Sequence, residues 1–235
     1  MVIAASAFAA LPAHAVCAQM PPIHVWPHRG VPVPTNARVV VTAPATWRGD
    51  ATFTLQTAPR RDQPVARVAL KEQSWRSASV ERFELTPLAA LAPSTAYELR
   101  SSRDEVLGIF TTSILEDKRP PAWTGVTRGH LRREKKGAVP LECGVSLIHL
   151  EGASEALDDQ TTGDDIRYAL WAGKSGSALD YASPPLTWTA RPRETRQFEL
   201  NYDDFELPSE RPLRVGIKAY DLAANASDPS EVTLE

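Results

Sequence analysis

The chain has 235 residues, 43% apolar and 23% charged, enough to bury a core and unlike the composition of a disordered chain. A formal net charge of −3 with a pI near 6.0 gives no global attraction to nucleic acid or to anionic lipid. Twenty prolines against twelve glycines mark many turns, edge strands and connectors and leave little room for long helices.

In chain order, Met1 to Ala15 is apolar and small, breaks at Pro12 and ends in Ala13-His14-Ala15, the small-x-small pattern that a signal peptidase cuts. Residues 1–15 are therefore expected to be a signal peptide, and the protein to be exported, although no Lys or Arg precedes Arg29. The stretch is shorter than the about 20 apolar residues of a membrane span, so no transmembrane segment is expected. Cys17 and Cys143 are the two cysteines. In an exported chain they either pair, closing a long loop worth roughly 4–5 kcal/mol in the chain-entropy picture, or stay as two thiols. Lipid anchoring through Cys17 fits less well, because Val16 stands where such processing wants Gly, Ala or Ser.

Ile23 to Pro27 reads as a short first strand, Arg29 to Asn36 as an extended connection, and Ala37 to Thr42 as a buried β-branched strand. Thr52 to Gln56 alternates cleanly, Val65 to Lys71 puts Val68 and Leu70 on one face, and Val80 to Leu85 does the same with Phe83 and Leu85. Tyr97 to Arg100 and Leu107 to Thr112 complete the set. Short strands without amphipathic helices between them favour an antiparallel two-sheet sandwich over a βαβ arrangement. Ile114 to Pro121 carries charges followed by two prolines, an extended and stiff connector expected to hold its neighbours apart.

Beyond it the logic repeats, with strands expected at Trp123 to Thr127, Glu142 to Leu150, Ile166 to Ala172 and Leu186 to Ala190. Arg196 to Leu200, Leu213 to Tyr220 and Glu231 to Leu234 follow. Ile166, Tyr168 and Leu170 alternate with Arg167 and Ala169, so each strand is expected to show one face to a core and one to water. The expected organisation is a signal peptide at 1–15, a sandwich at 22–113, a Pro-rich linker at 114–121 and a second sandwich at 122–235. The fold class is all-β, two tandem antiparallel β-sandwich domains.

The phrase Gly30-Val31-Pro32-Val33-Pro34-Thr35-Asn36-Ala37, with Leu91-Ala92-Pro93-Ser94-Thr95-Ala96-Tyr97 and Phe110-Thr111-Thr112, resembles the bacterial Ig-like domains of exported and surface-layer proteins. There Pro93 and Thr95 turn the chain, and the Tyr97 hydroxyl is expected to bond upstream backbone while its ring packs in the core. Ala219 to Ser227 followed by Pro229-Ser230 is similar to the last hairpin of fibronectin type III-like modules of secreted bacterial proteins, with Ala224 in place of the usual Gly. These resemblances imply residence in the cell envelope or outside the cell. They also imply a structural or adhesive role toward a protein or glycan partner, and no catalytic residues.

Among groups that carry chemistry, Asp158 and Asp159 with Asp164 and Asp165 can offer hard oxygen ligands to Ca²⁺, joined by Asp117, or form a solvated acidic loop. Asp221 and Asn225 read as turn formers. Trp47 and Trp75 lie in polar, loop-like contexts, where they are either core residues or an exposed contact patch for a sugar or protein. The basic run Arg128 to Lys136 lacks interleaved aromatics and reads as a solvated loop, so no nucleic-acid partner is expected. Ser175 has neither a nucleophile-elbow nor a Walker context, and the five histidines show no zinc spacing. No nucleophile, base and orienting group can be named together, so the protein is expected not to be an enzyme.

Overall fold

The computed structural model describes residues 23–28, 30, 32–45, 47, 52–61, 63–76, 80–135, 144–189, 192, 196–201, 207 and 212–234. The expected signal peptide, Cys17 and Cys143 lie outside them. The described chain is all-β, with its helix confined to a single 3-10 turn at Gly163–Asp165.

Among the described residues, the N-terminal half has nine strands. They are β1 (His24–Trp26), β2 (Pro32–Val33), β3 (Val39–Pro44), β4 (Thr54–Thr57), β5 (Arg67–Val68), β6 (Leu70–Arg76), β7 (Val80–Pro87), β8 (Ala96–Arg100) and β9 (Val106–Thr112). One sheet runs β1-β3-β7-β6 and the other β2-β9-β8-β4-β5, the pairing of an immunoglobulin-like sandwich. Val39, Val41, Leu55, Phe83, Leu85 and Leu99 fill the space between them. The segment Val65 to Lys71, expected as one strand, is two: Val68 pairs with Leu55 in one sheet, and Leu70 pairs with Pro87 in the other. Crossing between sheets at Ala69 still lets both apolar side chains reach the same core. β6 is nearly all polar and exposed, so burial periodicity gave no sign of its length.

The C-terminal half contributes β10 (Arg128–Lys135), β11 (Gly144–Glu151), β12 (Arg167–Lys174), β13 (Thr187–Thr189), β14 (Gln197–Asn201), β15 (Leu213–Tyr220) and β16 (Ser230–Leu234). Strands β10-β11-β14 and β13-β12-β15-β16 are linked by one parallel pair, Gly129 with Leu234, and enclose Ile148, Leu150, Tyr168, Leu170, Phe198 and Ile217. The basic run is thus corrected from loop to strand: Arg128 to Lys135 is paired residue by residue with β11. Trp123 to Thr127 is irregular chain and not a strand, because Gly125 takes φ +89° and the Val126 N–H donates to Ser230 Oγ instead of a ladder partner.

The corner at Tyr97 forms as expected. Its ring is 3% exposed and its hydroxyl accepts the Ala92 N–H at 2.8 Å. Tyr97→Phe is expected to cost about 1–3 kcal/mol by leaving that N–H unpaired, measurable by urea unfolding. Tyr168, not foreseen in this role, does the same for the Ala156 N–H at 2.8 Å.

Candidate functional site at the junction of the halves

Strand alternation sends Phe83 and Leu85 of β7 into their own core, and so sends Arg82 and Glu84 the other way. Yet Arg82 and Glu84 are each only 7% exposed. On β12 the same holds for Arg167, Ala169 and Trp171, at 4%, 0% and 5%. The expectation that these faces meet water is therefore wrong: the other half of the chain covers Arg82 and Arg167, while Tyr181 and Ser183 of its own half cover Trp171.

The cover is reciprocal. Arg82 places its guanidinium 3.8 Å over the ring of Trp188 on β13, and Arg167 places its own 3.9 Å over Trp26 on β1. Such stacking is worth roughly 0.5–2 kcal/mol, more when desolvated. Asp165 accepts from His28 through both the backbone N–H at 2.9 Å and Nδ1 at 2.8 Å. Leu222, from the turn after β15, belongs to the hydrophobic core of the N-terminal half, and its carbonyl accepts the Arg38 N–H at 2.7 Å. The connector 114–121 is itself tied in. Asn36 Nδ2 donates to the Asp117 carbonyl at 2.6 Å, and the Asp117 N–H returns to Asn36 Oδ1 at 2.9 Å. What reads as a spacer holding two units apart is bonded to the first of them.

Between these faces lies a cleft of about 430 Å³, lined by Trp26, Trp75, Trp171 and Trp188 together with Arg82 and Arg167. Trp75 stands directly opposite Arg82 in the β6–β7 register. The other tryptophan of the expected patch, Trp47, goes elsewhere: it stacks on Phe53 at 5.9 Å and meets Phe83 at 6.2 Å, against the N-terminal core. Burial pulls the Arg82 guanidinium down to about 9, against the opposing charge of Glu84. Arg167 is held well below its usual value, mainly by burial and further by the charge of Arg82, with Asp165 opposing. The Nε atoms of both arginines are buried with no hydrogen-bond acceptor among the described residues. Nothing in the sequence marks Arg82 out, since Val80 to Leu85 is an ordinary alternating strand.

The acidic residues divide. Asp158 meets Asp117 and Asp221, and the three offer carboxylate oxygens within 4.8 Å of one another. Asp159 turns to Arg119 at 3.4 Å, Asp165 to His28 and, at 3.7 Å, to Arg167, and Asp164 sits in the 3-10 turn. The missed member is Asp221, whose role as a turn former hid it. It does form the turn, accepting from the Asn225 N–H and Nδ2 at 2.8 Å each, while Ala224 takes φ +64° without the glycine usual there. Asp158 Oδ1 accepts the N–H groups of Gln160 and Thr161 at 2.9 and 2.7 Å. Asp117 is 1% exposed, and its Oδ2 has no hydrogen-bond partner among the described residues. Burial raises Asp117, with Asp158 and Asp159 adding repulsion. Burial also lifts Asp221 to about 7, partly opposed by the bonds from Asn225 and reinforced by Asp117 and Asp158. Three crowded oxygen donors from three separate segments suit a hard divalent cation.

No family model matches the chain, and no curated protein matches it in sequence. Among solved structures it is similar to the fibronectin(III)-like modules of Clostridium thermocellum CbhA, at 13% identity and TM-score 0.29, over 90% of this chain and 92% of that one. The tandem Ig repeats of Dlar share 12% identity at TM-score 0.27, over 91% and 98%. The pullulanase of Anoxybacillus sp. LM18-11 shares 10% identity at TM-score 0.26, over 86% of this chain and 25% of that one, so the chain spans about a quarter of that protein's length.

Proposed function

We propose that the protein is an exported, non-enzymatic structural or adhesive component of the bacterial cell envelope, in which two Ig- and fibronectin III-like sandwiches act as one stiff unit. The observation that carries this reading is the junction, where Leu222 of the C-terminal half is built into the N-terminal core and each half stacks an arginine on the other's tryptophan. A unit meant to transmit load or to present a surface gains from a joint that does not flex. The test is fractionation of cells carrying the full chain with a C-terminal tag, alongside a broad hydrolase panel on the purified protein. The chain is expected in the envelope or medium with no turnover. Retention in the cytoplasm, or reproducible turnover, overturns the reading.

A second reading has its own support. The convergence of Asp117, Asp158 and Asp221 favours Ca²⁺ bound at the junction, where it bridges the connector to the C-terminal half.

A further inference from the structure

The cleft holds buried guanidinium donors that its own carboxylates do not bond. Glu84 is engaged by Arg38, and Asp165 is shared between His28 and Arg167. Asp221, the third carboxylate of the lining, accepts from Asn225. Arg82 is left without an ion-pair partner among the described residues, although it is 7% exposed. Its Nε, and both Nε and Nη2 of Arg167, are buried and reach no hydrogen-bond acceptor among the described residues. Unmade hydrogen bonds of buried charged donors are expensive, so these atoms point to an acceptor supplied from outside the chain.

Shape and lining narrow its chemistry. The Nε–Nη edge of a guanidinium forms a two-pronged fork that fits a carboxylate or phosphate, and stacking on Trp188 and Trp26 fixes both guanidinium planes. Trp75 stands beside Arg82 on the same face of the sheet, as cross-strand partners do, and is partly exposed toward the cleft. An indole face next to an anion fork suits a ring with an apolar face, a polar edge and one acidic substituent. The volume, about 430 Å³, lies within the range of small-ligand pockets.

We propose that the cleft is a binding site for an anionic saccharide, with its carboxylate or phosphate received by Arg82 and Arg167 and its ring laid against Trp75. This goes beyond the structural reading above and does not depend on it.

The experiment titrates the full chain with glucuronate, glucose 6-phosphate and glucose at equal ionic strength, read by tryptophan fluorescence, with acetate and inorganic phosphate as anions lacking a ring. At least one acidic sugar is expected to bind about tenfold or more tighter than glucose, and tighter than the bare anion of its own kind. Which sugar it is separates a carboxylate ligand from a phosphate one. Arg82→Gln is expected to abolish the advantage over glucose, and Trp75→Ala to weaken the acidic sugar without making it equal to the bare anion. Should Arg82→Gln fail to fold, sulfate competition on the unaltered protein replaces it, with displacement of the acidic sugar expected. Equal binding of acidic and neutral sugars overturns the anion assignment, bare anions binding as well as sugars overturns the saccharide assignment, and absence of all binding overturns both.

Discussion

Leu222→Ala is expected to lower the stability of the N-terminal half by about 2–4 kcal/mol, although Leu222 lies more than 100 residues beyond that half's last strand, which ends at Thr112. The side chain is 5% exposed and sits in the cluster formed by Val33, Leu55, Phe83 and Tyr97, so truncation removes buried methyl groups and leaves a cavity that the surrounding strands only partly close. Its backbone bond to Arg38 is untouched by the change, which confines the loss to packing. Hydrogen exchange read strand by strand is the measurement. Amides of β3 and β7 are expected to open more readily, while those of β12 and β15, whose core contains Tyr168, Leu170 and Ile217, change far less. The control is Leu115→Ala, where the side chain is 56% exposed and a shift within about 0.5 kcal/mol is expected. Equal loss of protection in both halves, or none in β3 and β7, would refute the view that the C-terminal turn completes the N-terminal core.

The same residue shows where the sequence stopped being informative. Local alternation made the strands legible, because Phe83 with Leu85 and Tyr168 with Leu170 obey period two whatever surrounds them. It also sent Arg82, Glu84 and Arg167 to the opposite faces, which is where they are. What no local pattern encodes is that those second faces meet each other, since that depends on how two sandwiches dock. The cleft was invisible for that reason, and of the Trp47 and Trp75 patch only Trp75 reached it. The acidic group fared similarly. Clustering along the chain suggested Asp158, Asp159, Asp164 and Asp165, joined by Asp117, whereas the fold gathers Asp158 and Asp117 with Asp221, a carboxylate about 60 residues beyond Asp158. The tyrosine corner was read correctly because all of its parts lie between Leu91 and Tyr97.

Calcium is expected to raise the melting temperature at pH 8 by roughly 5–10 °C once its concentration reaches about a hundred times its dissociation constant, equivalent to about 2.7 kcal/mol. The sign with pH follows from Asp221, whose folded value stands at about 7 against an ordinary 3.8 because burial, aided by Asp117 and Asp158, disfavours its charge. Between about pH 4 and pH 7 the folded protein holds a proton that the unfolded chain has released. Without metal, this group's contribution to stability is therefore full below pH 4, declines as pH rises and is gone above about 7, a swing of the order of a few kcal/mol. At pH 8 Asp221 has lost its proton, and a divalent cation supplies positive charge among the crowded oxygens instead. At pH 5 the proton must be displaced before the metal enters, so the calcium shift is expected to shrink there to a small fraction of its value at pH 8. Asp117→Asn separates these effects. Without metal at pH 8 the variant is expected to be more stable than the parent, because a neutral amide replaces a carboxyl whose charge burial and its acidic neighbours disfavour, and it is expected to lose most of the response to calcium. Identical melting in calcium and in chelator at pH 8, or an undiminished calcium response in Asp117→Asn, would show that the three carboxylates are accommodated by their hydrogen bonds alone.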